Sequence, residues 1–137
     1  MNSRLGLWGP VVAYMAIIFT LSGMSSPPMP EGASDTSWHA IGYFGLGVVV
    51  TRAVARGLPA RITLRIALLA LALAVGYGAT DEFHQRFVPG RTPALDDLLA
   101  DATGSALAIC ACWAWGIISP LYASRREMRP GRRNDAF

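Results

Sequence analysis

Asp35, His39 and Tyr43 stand four residues apart, the spacing that stacks side chains on one face of a helix. Tyr77, Asp81 and His84 make a second such stripe, with Glu82 and Gln85 beside it, and Asp97 and Asp101 make a third. Arg86 and Arg91 lie between the second stripe and the third. Gathered at one place, these groups could do three kinds of chemistry. His39 or His84 could move a proton while Arg86 and Arg91 hold a phosphate and Asp81, Asp97 and Asp101 orient the imidazole. Asp81-x-x-His84 resembles half of a carboxylate–histidine metal motif, which His39 and Asp101 could complete. Or the groups bond to one another, locking helices together and holding a ligand without reaction. The third reading needs the fewest assumptions. No nucleophile motif accompanies the histidines, and the metal motif occurs once with only two histidines in the chain. No metal is therefore assigned, and cofactor and reaction stay open at this stage.

The elements that must carry these stripes are apolar. The chain has 137 residues, of which 53% are hydrophobic and 15% charged, and its mean hydropathy is +0.36. A soluble domain carries about 25% charged residues. The balance excludes a disordered chain, a coiled coil and most soluble folds, and points to one all-α membrane domain.

Four segments are candidates to cross a bilayer, whose core of about 30 Å needs about 20 helical residues. The first runs from Leu5 to about Met24 with no charge between Arg4 and Glu31. It resembles a signal peptide at its start, but it is long and no A-x-A site follows, which favours a retained helix. The second runs from about Ser37 to Ala55 and the third from about Ile62 to His84. The charge-free part of the third, Ile66 to Thr80, is only 15 residues. So Arg65 snorkels at one end, or Asp81 and Glu82 sit below the surface at the other. The fourth starts after Arg91, with Thr92 as cap and Pro93 as first residue, and ends near Ser119, where Pro120 helps stop it. Ser25 to Thr36, rich in Pro, forms a stiff connector, and Pro89-Gly90 suggests a type II turn.

Arginine sets the orientation. All twelve basic residues are Arg, and the net charge is +3. With four spans, ten of them (Arg4, Arg52, Arg56, Arg61, Arg65, Arg125, Arg126, Arg129, Arg132 and Arg133) share one side. Positive charge stays in the cytoplasm, so both termini are expected there, in a multi-pass inner-membrane protein. Residues 1–124 then form the membrane domain and 125–137 an Arg-rich cytoplasmic tail. Topology and anionic lipid explain the arginines without a nucleic-acid partner.

Seven of the nine acids and both histidines fall in the opposite, extracytoplasmic half. A carboxylate at mid-membrane costs about 2.5–3.5 kcal/mol on insertion scales. The stripes must therefore face one another, a cation or water. Gly104 and Ala108 continue the Asp97–Asp101 face and allow close helix approach, whereas Asp96 points elsewhere. At least one of Arg86 and Arg91 is expected to pair with Asp81, Glu82, Asp97 or Asp101. Cys110 and Cys112, two apart on a helix, face different sides and read as small packing residues.

The run Asp81-Glu82-Phe83-His84-Gln85-Arg86-Phe87-Val88-Pro89-Gly90-Arg91, followed by Asp97, Asp101 and Gly104, resembles the VanZ-like family of small bacterial membrane proteins. That family has Asp-Glu and Gln ahead of a Pro-Gly-Arg turn, then Asp and, four residues on, Asn or Asp before Gly. Asp35-x-x-x-His39-x-x-x-Tyr43 matches its second-helix pattern, except that Lys often follows the Asp there and Thr36 does here. The likeness extends from Ser25-Ser26-Pro27 to Gly104. The family is named after an accessory protein linked to resistance to the glycopeptide teicoplanin. The resemblance carries, as an expectation, a link to glycopeptide resistance, and the stripes themselves lead us to expect an extracytoplasmic pocket of Asp35, His39, Tyr43, Asp81, Glu82, His84, Gln85, Arg91, Asp97 and Asp101 that binds a cell-envelope lipid or glycolipid. The competing expectation is a membrane enzyme acting on a lipid-linked phosphate or sugar.

Overall fold

In the structure, a computed structural model, residues 4–28, 31–32 and 34–127 are described, with side chains as far as residue 119. They form four helices and no strand: α1 (Arg4–Ser22), α2 (Asp35–Val54), α3 (Leu64–Gln85) and α4 (Leu95–Glu127). Three segments are long and apolar enough to cross a membrane: Arg4–Ser22, Leu64–Gln85 and Leu95–Ser119. The 20 residues of α2 are long enough as well. Its apolarity falls short because Asp35, Trp38, His39 and Tyr43 fill one half and Gly42, Gly45 and Gly47 interrupt it.

Local chemistry sets the ends. Ser34 and Ser37 cap α2 reciprocally, so that helix begins at Asp35, ahead of the expected Ser37. Thr63 caps α3 by accepting from the Ile66 amide at 3.3 Å. The Val88–Arg91 turn closes through the Arg91 N–H donating to the Val88 carbonyl at 3.1 Å, and Gly90 supplies the required positive φ of 81°. Two further expected boundaries move. α4 starts at Leu95 rather than at Thr92–Pro93, because a carboxylate from α3 serves its N-terminus. It also continues through Pro120 to Glu127, since a proline bends a membrane helix without having to end it. The boundary drawn at residue 124 thus falls inside α4, and 128–137 of the tail lie outside the described residues.

The helices run alternately up and down, so α2 and α4 are parallel. They form the largest contact in the bundle, α3 packs on both, and α1 leans on α2 and more lightly on α3. Tyr43, Leu46, Val50, Ala74 and Ile109 belong to the buried core. Leu64, Leu69, Leu107, Trp113 and Trp115 face outward, an apolar exterior suited to lipid.

Candidate functional site

The α2–α4 seam holds a constant register. Thr36 meets Asp97, His39 meets Asp101, Tyr43 meets Ser105 and Gly47 meets Ala108. One helical turn on α2 matches one turn on α4 because the pair is parallel. Small residues make the approach close: a Cβ on Gly104 would lie 2.1 Å from the Ala40 carbonyl oxygen.

At the end of this seam the polar side chains form one network. His39 Nδ1 stands 2.9 Å from Asp101 Oδ1 and 4.0 Å from Glu82 Oε1. Thr36 donates its hydroxyl to Asp97 at 2.9 Å. From α1, Ser22 donates to Asp81 Oδ1 at 2.5 Å. The Gln85 amide reaches Glu82 Oε1 at 3.3 Å and Asp81 Oδ2 at 3.5 Å. Glu82 Oε2 accepts the Ala94 N–H at 3.1 Å, placing a carboxylate at the positive end of α4. Asp81, Glu82, Gln85, Asp97 and Asp101 are all buried, whereas Asp96 is exposed. Arg65, at the far end of α3, is exposed.

Three sequence expectations change here. Arg91 pairs with none of the four acids proposed for it. Its Nη1 donates to Asp35 at 2.9 and 3.2 Å, because the tight turn folds Arg91 back over the start of α2. Arg86 lies over the Phe83 ring, 5.6 Å from its centroid, and does not join the network. Arg91 is therefore already held by a carboxylate, and Arg86 stands on the exterior away from the network. His84 turns toward α1 and stacks on Phe19 with centroids 4.3 Å apart. Asp81 and His84 thus do not act as a ligand pair; three residues along a helix leave them about 60° apart in direction. Tyr77 also serves α1, donating to the Met15 carbonyl at 2.6 Å.

Sequence reading missed four contributors: Ser22, Thr36, the Ala94 amide and Gly78. Gly78 makes room for Asp101, whose Oδ2 would lie 2.6 Å from a Cβ there. Only the pairing of helices reveals these partners. Three buried atoms at the network lack a hydrogen bond among the described residues: Asp101 Oδ2, the Tyr43 hydroxyl oxygen and Arg91 Nε.

A cavity of about 60 Å³ adjoins the network between α1, α2 and α3. Ile18, Leu21 and Trp38 give it an apolar wall, while His39, Asp81 and Arg91 give it a polar one. Carboxylate–imidazole and carboxylate–arginine pairs around such a space can donate and accept hydrogen bonds to a small polar group beside an apolar wall.

The VanZ/LLP1 family model matches residues 11–118, and the match contains all four site-bearing helix ends. The chain belongs to the VanZ/LLP1 family. No curated protein and no solved structure matches it significantly. With its apolar helices, the chain is a membrane protein of the VanZ type.

Proposed function

We propose that this VanZ-type protein is a four-span inner-membrane protein with both termini cytoplasmic, whose extracytoplasmic pocket binds the polar head of a cell-envelope lipid or glycolipid. The observation that carries the reading is the cavity beside the network, apolar along Ile18, Leu21 and Trp38 and polar at His39, Asp81 and Arg91. An amphiphile needs both walls. The surroundings favour a head rich in hydroxyl or amine donors over a bare phosphate. Asp81 lines the cavity as an acceptor, Asp35, Glu82, Asp97 and Asp101 add negative charge behind it, and the arginine that lines it already donates through Nη1 to Asp35. The distribution of arginine supports the orientation. A contribution to glycopeptide resistance is the further expectation that family membership carries.

Mass spectrometry of lipids retained by the detergent-purified protein tests the binding. A Cβ on Gly42 meets nothing within 4 Å, and Gly42 lines the cavity. Gly42→Leu should therefore fill the space without unfolding the bundle and deplete a lipid that the wild type retains. Equal lipid content in the two proteins would sink the reading. Single cysteines at Phe83 and Arg56, in a background lacking Cys110 and Cys112, test the orientation. Impermeant maleimide added outside should label Phe83→Cys and spare Arg56→Cys, and the reverse pattern would invert the topology.

A further inference from the structure

We infer that His39, Glu82 and Asp101 form a binding site for one divalent transition cation of the Zn²⁺ or Mn²⁺ class. One ligand atom from each lies within 4.8 Å of the other two, and all three residues are buried. The 4.0 Å separation of His39 Nδ1 from Glu82 needs sub-ångström closure, and the 2.9 Å separation from Asp101 a slight opening. Metal bonds of about 2.0–2.2 Å place neighbouring ligand atoms about 3–3.5 Å apart. One imidazole and two carboxylates suit Zn²⁺ or Mn²⁺ better than an all-oxygen cation or a thiophilic one.

A second observation points to a ligand there. Asp101 is fully buried, yet its Oδ2 has no hydrogen-bond partner. Buried carboxylates are otherwise paired or bound to metal. Of the neighbouring hydroxyl donors, Thr36 is committed to Asp97 and Ser22 to Asp81, while the Tyr43 hydroxyl is itself without a partner. Arg91 is held by Asp35. Five carboxylates thus meet one guanidinium and one imidazole, and a divalent cation offsets part of the excess negative charge. The alternative triad of Asp35, His39 and Asp97 is disfavoured because Arg91 already neutralises Asp35. On binding, the cation takes the place of the Nδ1 proton, which leaves to solvent or to the second ring nitrogen. The site stands independently of the lipid reading, since its occupancy is measured without lipid ligand.

The test uses the full chain without a histidine tag, in detergent, with Cys110→Ser and Cys112→Ser removing thiol ligands. The protein is stripped with EDTA and titrated with Zn²⁺ or Mn²⁺ by calorimetry. One equivalent per chain is expected. Asp101→Asn and Glu82→Gln should each weaken it by more than about 100-fold, while Asp96→Asn leaves it unchanged. Circular dichroism and size exclusion check that each variant is folded. Wild-type protein also gives a readout that needs no ligand variant. Bound Mn²⁺ should show imidazole nitrogen coupling in pulsed electron paramagnetic resonance, and the coupling should persist in His84→Gln. Absence of a saturable equivalent in the wild type, undiminished affinity in folded Asp101→Asn, or absence of nitrogen coupling would each overturn the site. A network whose missing charge is made up by protons would give the first of these.

Discussion

A Cβ on Gly78 would stand 2.6 Å from Oδ2 of Asp101. The side chain that α3 lacks is the space that the α4 carboxylate occupies. Gly78→Ala must push Asp101 away from His39 or part the two helices, at about 1–3 kcal/mol for overpacking. Gly76, on the same helix, has open space around it. Gly76→Ala should be neutral or stabilising by about 0.5–1 kcal/mol. Thermal unfolding in detergent compares the two, and equal melting temperatures would remove the steric role given to Gly78.

The α2–α4 seam gives a second comparison. A Cβ on Gly104 would lie 2.1 Å from backbone, which cannot rotate aside as a side chain can. Gly104→Leu should therefore destabilise the bundle by more than about 3 kcal/mol, beyond the range of ordinary overpacking. Retained helix association in a crosslinking assay between α2 and α4 would contradict this.

Arg91 and Arg86 should separate cleanly. Arg91→Ala strands a half-exposed Asp35 and removes two charge-assisted hydrogen bonds, at about 1.5–3 kcal/mol. Arg86 is exposed over Phe83, so Arg86→Ala should stay within about 0.5 kcal/mol. A double-mutant cycle of Asp35→Ala and Arg91→Ala measures the pair directly, and a coupling of zero would count against it.

Ser22 ties α1 to the network. Ser22→Ala leaves Asp81 Oδ1 without its hydroxyl donor and should cost about 1.5–3 kcal/mol. Ser26, exposed in the connector, is the matched control for Ser26→Ala. Comparable unfolding of the two variants would mean that the Ser22–Asp81 bond contributes nothing.

Periodicity carried much of this structure. The four-residue step between Asp97 and Asp101 set both on a buried face and turned Asp96 outward, and Pro89-Gly90 announced the turn that the Gly90 backbone makes. Pairings between helices were less legible. Arg91 has several acids within reach in the sequence, and only the fold of the turn selects Asp35. Glu82 caps α4 from another helix, so the local cap signal at Thr92 misled by offering a nearer donor-satisfying group. His84 shares a helix end with Asp81, but an angular offset of about 60° is enough to send it to Phe19 instead.

The parallel seam between α2 and α4 also constrains biosynthesis. On the four-span reading, α2 leaves the ribosome long before the helix that covers its polar face. Asp35 and His39 must wait through all of α3, and through the turn that follows, before Arg91 and Asp101 arrive. Until then α2, which falls short of the apolar span that α1, α3 and α4 each offer, is held in the bilayer by α1 and by the valines at its far end. The site is thus assembled last, and a nascent chain halted after α3 carries a second helix that is only marginally committed to the membrane.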